Sequence, residues 1–332
     1  MGPFGLFEHA EGTKVRRNHG YCTDDNARLL ILTSVRPQPL DSEDLSRQAL
    51  QFVCAAQQSS GWVHNRMSPD GHFTDEPSNE DCWGRVLQSC GLAAALHPQL
   101  SVRREAAVAF DLSAQARSPH LRAMAFASVG AAHFLREHPD DQNAHRLLTD
   151  FVRMVTTDVK TESSWLWPEP RLRYANATVA EAMIAAGAAL KREEVVLLGV
   201  RLLTWLIARE SRNGQISVTG TKGRGPNEMF AQFDQQPIEV SAIADACMGA
   251  FEATGDHAWL DGVLLAANWF FGENDSNAIM FDPRTGGGFD GLQRRGVNTN
   301  QGAESTLAYL NTAQRLSRAK HLLHDCNLSS AS

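Results

Sequence analysis

The sequence predicts an all-α fold in which helical hairpins form a double ring, with the long loops gathered at one end. Apolar residues recur at three- and four-residue spacing along most of the chain. The predicted helices alternate between two compositions, and the long connections all lead into helices of one composition. Stretches typical of strands are short, as in "GQISV" and "AIMFD". We therefore expect a chain that is helical over most of its length.

The first set of predicted helices is rich in alanine, glycine and other small residues. Small side chains let helix axes approach closely, which helices around a central axis must do. The starts of this set recur at intervals of roughly 40 to 65 residues, the scale of helical-hairpin repeats. We assign an inner ring to residues 24–35, 80–96, 119–136, 174–190, 235–253 and 301–317.

The second set is more amphipathic and carries more charge, which suits an outer ring with one wet face. It comprises residues 43–58, 102–116, 142–160, 193–210 and 257–272. Together the two sets describe six hairpins, with the first outer helix lost or shortened within residues 1–20. We predict a single domain over residues 1–320 and a disordered tail over residues 321–332.

Bulk composition excludes several classes of protein. The chain has 332 residues, 43% of them hydrophobic, and a formal net charge of −7 without any basic stripe, so nucleic acid is not an expected partner. We find neither an apolar run long enough to span a membrane nor a secretory signal. The six cysteines form no C-x-x-C pair, as expected of reduced thiols in a cytoplasmic protein.

The long connections carry most of the polar chemistry. They contain "GWVHNRMSPDGHFTDEPSNED", "SSWLWPEPRLRYANA", "GQISVTGTKGRGPNEMFAQFDQQP" and "IMFDPRTGGGFDGLQRRGVNTNQGAE", and each leads into an inner helix. Connections in the other direction are short. Long loops at one end of a ring make a rimmed cup, and function usually lies in such loops.

Each long loop ends in carboxylates and amides at the start of an inner helix. Helix capping accounts for some of them, because Asp and Asn are favoured N-cap residues and acids suit the first turn. Capping does not account for doubled acids or paired glutamines, so we predict a shared pocket and keep capping alone as the alternative. The candidates for substrate binding are Asp24, Asn26, Glu80, Asn176, Gln235, Gln236, Glu239, Asp290, Asn298, Asn300 and Gln301.

Aromatic residues accompany these polar groups. A sugar presents apolar C–H faces ringed by hydroxyls, so its site combines flat rings with amides and carboxylates. In "SWLWPEP" two tryptophans lead directly into Glu169. We predict a stacking platform for a sugar, with a core hairpin as the alternative, and its candidate rings are Trp83, Trp165, Trp167 and Tyr174.

These residues fit cleavage of a glycosidic bond, which needs one carboxylic acid and a second carboxylate. We expect Glu169, flanked by Trp167, to be the acid, with Glu304 as the second choice. Asp25 and Asp81 are candidates for the base or for holding the sugar ring. The sequence contains no H-E-x-x-H, phosphate-loop or dinucleotide motif, so neither a metal nor a cofactor is expected.

Five separated motifs resemble a known family. They are "GYCTDDNARLLI", "EDCWGRVLQSCG", "WPEPRLRYANATVAEAMI", "FDQQPIEVSAIADAC" and "GGGFDGLQRRGVNTNQGAESTLAYL", which lie between Gly20 and Leu310. The chain resembles the six-hairpin glycosidase-like folds, the (α/α)6 toroids, and within them a bacterial family of glycosyltransferase-associated proteins. The resemblance implies a toroid, carbohydrate metabolism and association with a glycosyltransferase. It also implies an incomplete first hairpin, because relatives have more chain ahead of "GYCTDDNAR".

The residues leave other functions open beside a glycoside hydrolase acting on an oligosaccharide or glycoside. Phosphorolysis is one, and a non-catalytic glycan-binding or transferase-partner module is another. A sugar epimerase or isomerase commonly uses a histidine base, for which the cup offers His64 and His72. A phosphate would meet Lys222 and Arg224. A lyase acting on uronic acids would need cations, and the loops supply Arg171, Arg173, Lys222, Arg294 and Arg295.

Overall fold

The structure, a computed structural model, describes residues 1–35, 42–160, 162–230 and 232–329. Within these ranges it contains eleven α-helices and eight short strands. The chain forms two compact units. Unit 1 comprises Met1–Thr157 and Ala185–Val196, and unit 2 comprises Asp158–Ile184 and Leu197–Ser332. The single domain expected over residues 1–320 stays a prediction.

Unit 1 contains helices of both predicted sets. The small-residue helices are α1 (Thr23–Ser34), α3 (Asp81–Leu96) and α5 (Leu121–Phe134), and the amphipathic ones are α2 (Ser42–Ala56), α4 (Leu100–Ser113) and α6 (Gln142–Asp158). Helix α3 packs against both α1 and α5, while α2 packs against α1 and α4. Small-residue helices therefore pack side by side, as their composition predicts.

Glycines bring α3 and α5 into backbone contact. A Cβ added at Gly91 would lie 2.1 Å from the carbonyl oxygen of Gly130, and one added at Gly130 would lie 2.1 Å from that of Leu87. At Gly84 the corresponding distance to the Ala123 oxygen is 2.3 Å. These separations exclude any side chain larger than hydrogen, so the two helices meet through their main chains.

Residues 1–20 of unit 1 contain no α-helix. They form a ribbon of β1 (Ala10–Glu11) with β2 (Lys14–Val15) and a 3-10 turn at Arg17–His19. Strand β3 (Tyr21–Cys22) then pairs with β4 (Arg66–Met67), which belongs to the loop before α3. The chain ahead of α1 is therefore held by short strands.

Unit 2 is built mainly from α9 (Pro237–Thr254), α10 (Ala258–Phe270) and α11 (Ala303–Ser329), with α9 packed against the other two. Helices α7 (Asn176–Ala189) and α8 (Glu193–Arg209) contribute residues to each unit. Two ribbons complete unit 2, β5 (Ser211–Arg212) with β6 (Gln215–Ile216) and β7 (Gly291–Gln293) with β8 (Gly296–Asn298). Among the described helices, none combines the length and hydrophobicity that crossing a membrane requires.

The disordered tail expected over residues 321–332 stays a prediction. Helix α11 continues to Ser329, and residues 330–332 lie outside the described part. Leu322, Leu323 and Cys326 are half-buried and fall on one helical face. The Cys326 Sγ also lies 3.5 Å from the His257 Nε2. Through Cys326, the described end of α11 therefore contacts the residue before α10.

Candidate functional site

Three long loops of unit 2 are joined through their main chains. Leu172 and Arg224 exchange backbone hydrogen bonds of 2.8 and 3.0 Å, which join the loop before α7 to the loop after β6. The N–H of Thr221 donates to the Asp234 carbonyl at 3.0 Å. Gln235 and Leu292 exchange bonds of 3.0 and 2.8 Å, which join the start of α9 to β7. The loops that the sequence predicts to be functional therefore lie side by side in this unit.

A cavity of about 470 Å³ lies among these loops, and we call it the unit 2 cavity. Its volume falls in the usual range of small-ligand sites. Its walls are loop residues and the first turn of α9. They are Arg171, Leu172, Arg173, Tyr174, Thr219, Gly220, Thr221, Lys222, Gly223, Gln236 and Glu239. Three of the predicted sugar-binding residues, Tyr174, Gln236 and Glu239, thus lie on one cavity.

Glu239 is the carboxylate of the unit 2 cavity, and its side chain is fixed. The residue is 3% exposed. Its Oε1 accepts the N–H of Ala175 at 2.6 Å, and its Oε2 accepts the N–H and the side-chain amide of Asn176, both at 3.4 Å. The first N–H groups of a helix have no partner within the helix, and a negative charge there is favourable. Glu239 therefore ties α9 to the start of α7.

The same bonds position the segment before α7. Ala175 has φ 46°, a left-handed conformation that is uncommon for residues other than glycine. The Asn176 Oδ1 accepts the N–H of Arg173 at 3.0 Å, so Arg173 and Asn176 close a tight turn. Tyr174, between them, is 45% exposed and lines the unit 2 cavity. Tyr174 is thus the aromatic residue among the described walls of the unit 2 cavity.

Three cationic side chains line the unit 2 cavity, and they differ in their ion pairing. Arg171 makes two hydrogen bonds to Glu228, at 2.6 and 3.2 Å. These bonds raise the pKa of Arg171 and lower the pKa of Glu228. The Nε of Arg173 lies 3.9 Å from the Glu169 Oε1. Lys222 is exposed and makes no ion pair within the described residues.

Two of the predicted stacking rings lie in the core instead. Trp167 is 2% exposed and stacks on Trp205 with 6.0 Å between ring centroids. Trp83 of unit 1 is fully buried, and its indole N–H donates to the Ser113 carbonyl at 3.1 Å. Neither ring has a free face for a sugar, so the core alternative applies to both. Trp165 is half-buried, and its indole N–H donates to the Glu169 carbonyl at 2.7 Å.

The segment 285–304 uses its polar residues largely to hold its own shape. The Asp290 Oδ1 accepts the N–H of Gly302 at 2.8 Å, and the Asn298 Oδ1 accepts the N–H of Asn300 at 3.2 Å. The Gln301 Oε1 accepts the hydroxyl of Thr285 at 2.8 Å. A Cβ on Gly287 would lie 2.0 Å from that Oε1. A Cβ on Gly288 would lie 2.3 Å from the Ser305 carbonyl oxygen, so Gly287 and Gly288 both pack closely against the chain itself. Half-buried Glu304 follows in the first turn of α11.

Gln235 belongs to a buried network that the sequence did not reveal. Its Nε2 donates to the Asp275 Oδ2 at 2.7 Å, and the Ser217 hydroxyl donates to the same oxygen at 2.5 Å. Gln235 is fully buried and is not one of the described residues that line the unit 2 cavity. Its side chain therefore supports the loops beneath the cavity.

The predicted residues of unit 1 form a second polar group at the start of α1. Asp25 is 2% exposed and pairs with the Arg28 Nη1 at 2.7 Å. The Asp24 Oδ2 accepts the Asn65 side-chain amide at 3.2 Å, and the Asn26 side-chain amide donates to the Cys22 carbonyl at 2.8 Å. At the start of α3, which packs against α1, Glu80 is exposed and Asp81 is half-buried. The pocket that the sequence predicts for all these residues together stays a prediction.

Glu8, Cys22 and Asp25 bring possible metal ligands within 4.8 Å of one another in unit 1. Arg66 pairs with Glu8, as Arg28 does with Asp25. Burial raises the pKa of the Cys22 thiol well above its ordinary value, which keeps the proton on the sulfur. The thiol donates to the Asp25 Oδ2 at 3.2 Å. This arrangement is that of an ion-pair network.

A buried acid beside the unit 2 cavity makes stability depend on pH. Glu210 is 1% exposed, and its Oε1 accepts the N–H of Thr219 at 3.1 Å. Burial raises the pKa of the Glu210 carboxyl above its ordinary value of 4.5. The stability that its protonated form contributes is complete below the unfolded-state pKa and is lost as the pH rises through the folded-state pKa.

We expect Glu210→Gln to remove this loss of stability at rising pH. As the pH rises above about 4.5, the free energy of unfolding should fall more in the original protein than in the variant. Urea denaturation followed by circular dichroism at several pH values measures the difference. Gln232→Ala, which removes an exposed neutral side chain, is the control. Parallel pH profiles for Glu210→Gln and the original protein would contradict the prediction.

Comparison with known proteins gives matches among solved structures. No protein-family model matches the chain, and no curated protein does. A sugar epimerase from a ruminal bacterium has a TM-score of 0.73 at 11% identity, covering 96% of this chain and 92% of its own. Cellobiose 2-epimerase from Bacillus thermoamylovorans has a TM-score of 0.71 at 10% identity, covering 96% and 92%. The GH76A α-1,6-mannanase from Salegentibacter has a TM-score of 0.65 at 12% identity, covering 96% and 94%.

These likenesses show the fold. The three structures are similar to this chain over nearly its whole length, although few residues are identical. The all-α class predicted from the sequence, the (α/α)6 toroid of helical hairpins, is confirmed.

Proposed function

We propose that the protein is a carbohydrate-active enzyme that binds a sugar in the unit 2 cavity and cleaves a glycosidic bond. One observation supports this above the others: the exposed Tyr174 ring, the Gln236 amide and the Glu239 carboxylate line one cavity. A ring of this kind stacks on sugar C–H groups, while amides and carboxylates bind hydroxyls. The similar structures are named for activity on sugars, which supports the same class.

The catalytic acid in this proposal is Glu169. Its carboxylate is 20% exposed and lies 3.9 Å from Arg173, which lines the unit 2 cavity. Glu239 is engaged with backbone N–H groups through both oxygens, so we assign it a positioning role. Glu304, in the first turn of α11, is the second choice for the acid.

A sugar epimerase or isomerase is the second candidate function. It is favoured by the similar structures, of which two are named as sugar epimerases. Proton transfer at carbon commonly uses histidine, and no described residue that lines the unit 2 cavity is a histidine. We therefore place bond cleavage first.

We also propose a cellular location and a partner protein. The free cysteines fit a reducing compartment, and we place the protein in the cytoplasm. The five motifs imply association with a glycosyltransferase, which co-purification from the native cell would test. A non-catalytic module bound to such an enzyme would bind sugars without converting them.

Turnover of a sugar panel tests the proposed function. The protein is incubated with manno-, gluco- and arabino-oligosaccharides, with and without phosphate, and the products are separated and weighed by mass spectrometry. Hydrolysis gives shorter sugars, phosphorolysis gives a sugar phosphate, and epimerisation changes retention without changing mass. If the panel shows neither binding nor turnover, the proposed function is wrong.

Glu169→Gln and Glu304→Gln then test the catalytic assignment. Loss of the acid should reduce turnover by about 10²- to 10⁴-fold while sugar binding persists. Glu162→Gln, an exposed acid in the loop that contains Glu169, is the matched control and should keep full turnover. Full turnover in both test variants would overturn the assignment of the acid.

A further inference from the structure

The unit 2 cavity concentrates positive charge in a chain whose formal net charge is −7. Arg171, Arg173 and Lys222 line it, and Glu239 is the carboxylate among its described walls. The Glu239 charge faces the N–H groups at the start of α7. A ligand in the unit 2 cavity therefore meets an excess of cations.

Arg173 and Lys222 are the cations that remain available. Arg171 is neutralised by the two bonds to Glu228. The Arg173 side chain is 67% exposed, and its 3.9 Å separation from Glu169 is too long for a hydrogen bond. Exposed Lys222 makes no ion pair in the part of the chain that the structure describes. Two charged groups can thus turn to a ligand.

Thr219 belongs to the same wall of the unit 2 cavity. The residue is 2% exposed, and its N–H donates to the buried Glu210 carboxylate at 3.1 Å, which fixes its place in the wall. The next residue, Gly220, packs its backbone against the backbone of Gln232, because a Cβ on Gly220 would lie 2.3 Å from the Gln232 carbonyl oxygen.

Other arginines of these loops make contacts outside the unit 2 cavity. Arg224 is 4% exposed and donates to the carbonyl oxygens of Arg209, Glu228 and Met229. Arg294 lies over the Phe233 ring at 5.5 Å, and neither Arg294 nor Arg295 is among the described residues that line the unit 2 cavity. Of the cations that the sequence offered for an acidic sugar, Arg171, Arg173 and Lys222 line the cavity.

We propose that the unit 2 cavity takes a saccharide that carries an anionic group, a carboxylate or a phosphate. Arg173 and Lys222 bind this group through charge-assisted hydrogen bonds. Tyr174 lies against the sugar ring. The saccharide part of this inference rests on the proposed function, whereas the anionic part rests on the charges of the cavity.

Calorimetric titration of the full chain tests the proposal. Glucuronate is compared with glucose, and mannose 6-phosphate with mannose, so that each acidic sugar has a neutral counterpart. We expect one acidic sugar to bind at least about tenfold more tightly than its counterpart, because a hydrogen bond to a charged group contributes about 1.5–3 kcal/mol. The pair that shows the difference distinguishes carboxylate from phosphate.

Lys222→Ala and Arg173→Gln should each reduce that preference about tenfold or more. Lys320→Ala and Arg212→Gln remove exposed cations of the same unit and are the matched controls. Thermal unfolding followed by circular dichroism verifies that the variants fold. A preference that survives in both test variants would overturn the assignment of the anion site.

The remaining outcomes separate this inference from the proposed function. Equal affinity for acidic and neutral sugars would overturn the inference and leave a carbohydrate site in place. Binding of inorganic phosphate without binding of any sugar would overturn both. Stronger binding of the acidic sugar that weakens with added salt would support both.

Discussion

Glu239→Ala is expected to lower the free energy of unfolding by about 2–4 kcal/mol and to abolish sugar binding, because it leaves buried N–H groups without an acceptor. The N–H groups of Ala175 and Asn176 both donate to this carboxylate, and Ala175 and Asn176 are buried. Ala175 also loses the contact that holds its left-handed backbone. Tyr174 would then lose its fixed place in the cavity wall. Urea denaturation and calorimetric titration measure the two effects.

Glu239→Gln separates the acceptor from the charge. The amide keeps one oxygen for the Ala175 N–H, so this variant should retain most of the stability. Glu228→Ala removes an exposed carboxylate of the same unit and should leave the unfolding transition in place. If Glu239→Ala unfolds at the urea concentration of the original protein, Glu239 does not hold the start of α7.

Gly130→Ala is expected to lower the free energy of unfolding by about 1–3 kcal/mol, as overpacking of a core does. Helix propensity alone would favour alanine by about 1 kcal/mol, so the sign of the effect depends on packing. The added Cβ would lie 2.1 Å from the Leu87 carbonyl oxygen and 2.7 Å from the Gln88 Cα. Both are backbone atoms, so α3 and α5 would have to separate.

Gly249→Ala provides the matched control within a helix. Its added Cβ would lie 3.7 Å from the Glu181 Cγ, an ordinary contact. This variant should therefore gain up to about 1 kcal/mol from helix propensity. Urea denaturation of both variants compares the two signs. A gain in stability for Gly130→Ala would show that the helices separate at little cost.

The helices were predictable because their signal is local. The inner helix expected over residues 80–96 is α3 at Asp81–Leu96, and the one expected over 235–253 is α9 at Pro237–Thr254. Apolar spacing and small-residue content are properties of each segment taken alone. The contact of Cys326 with His257 was not predictable in this way, because it joins residues 69 positions apart.

The candidate site was predictable only in part. Residue type indicated that Tyr174, Gln236 and Glu239 belong to one site, and the structure places them on one cavity. Residue type could not separate a tryptophan that stacks on a sugar from one that packs in the core. Trp167 belongs to the core because its ring is stacked on Trp205, which lies 38 residues further along the chain. Such a long-range contact leaves no mark in the local pattern.

The reciprocal main-chain bonds between the loops have a consequence for how this protein can change. Because Leu172 with Arg224 and Gln235 with Leu292 are joined through N–H and carbonyl groups, these two junctions do not depend on the side chains of the four residues. We therefore expect substitutions at exposed wall positions such as Tyr174 and Lys222 to leave the backbone in place while they alter the selectivity of the proposed sugar site. A combinatorial library confined to such positions should therefore yield a high fraction of folded variants with new preferences.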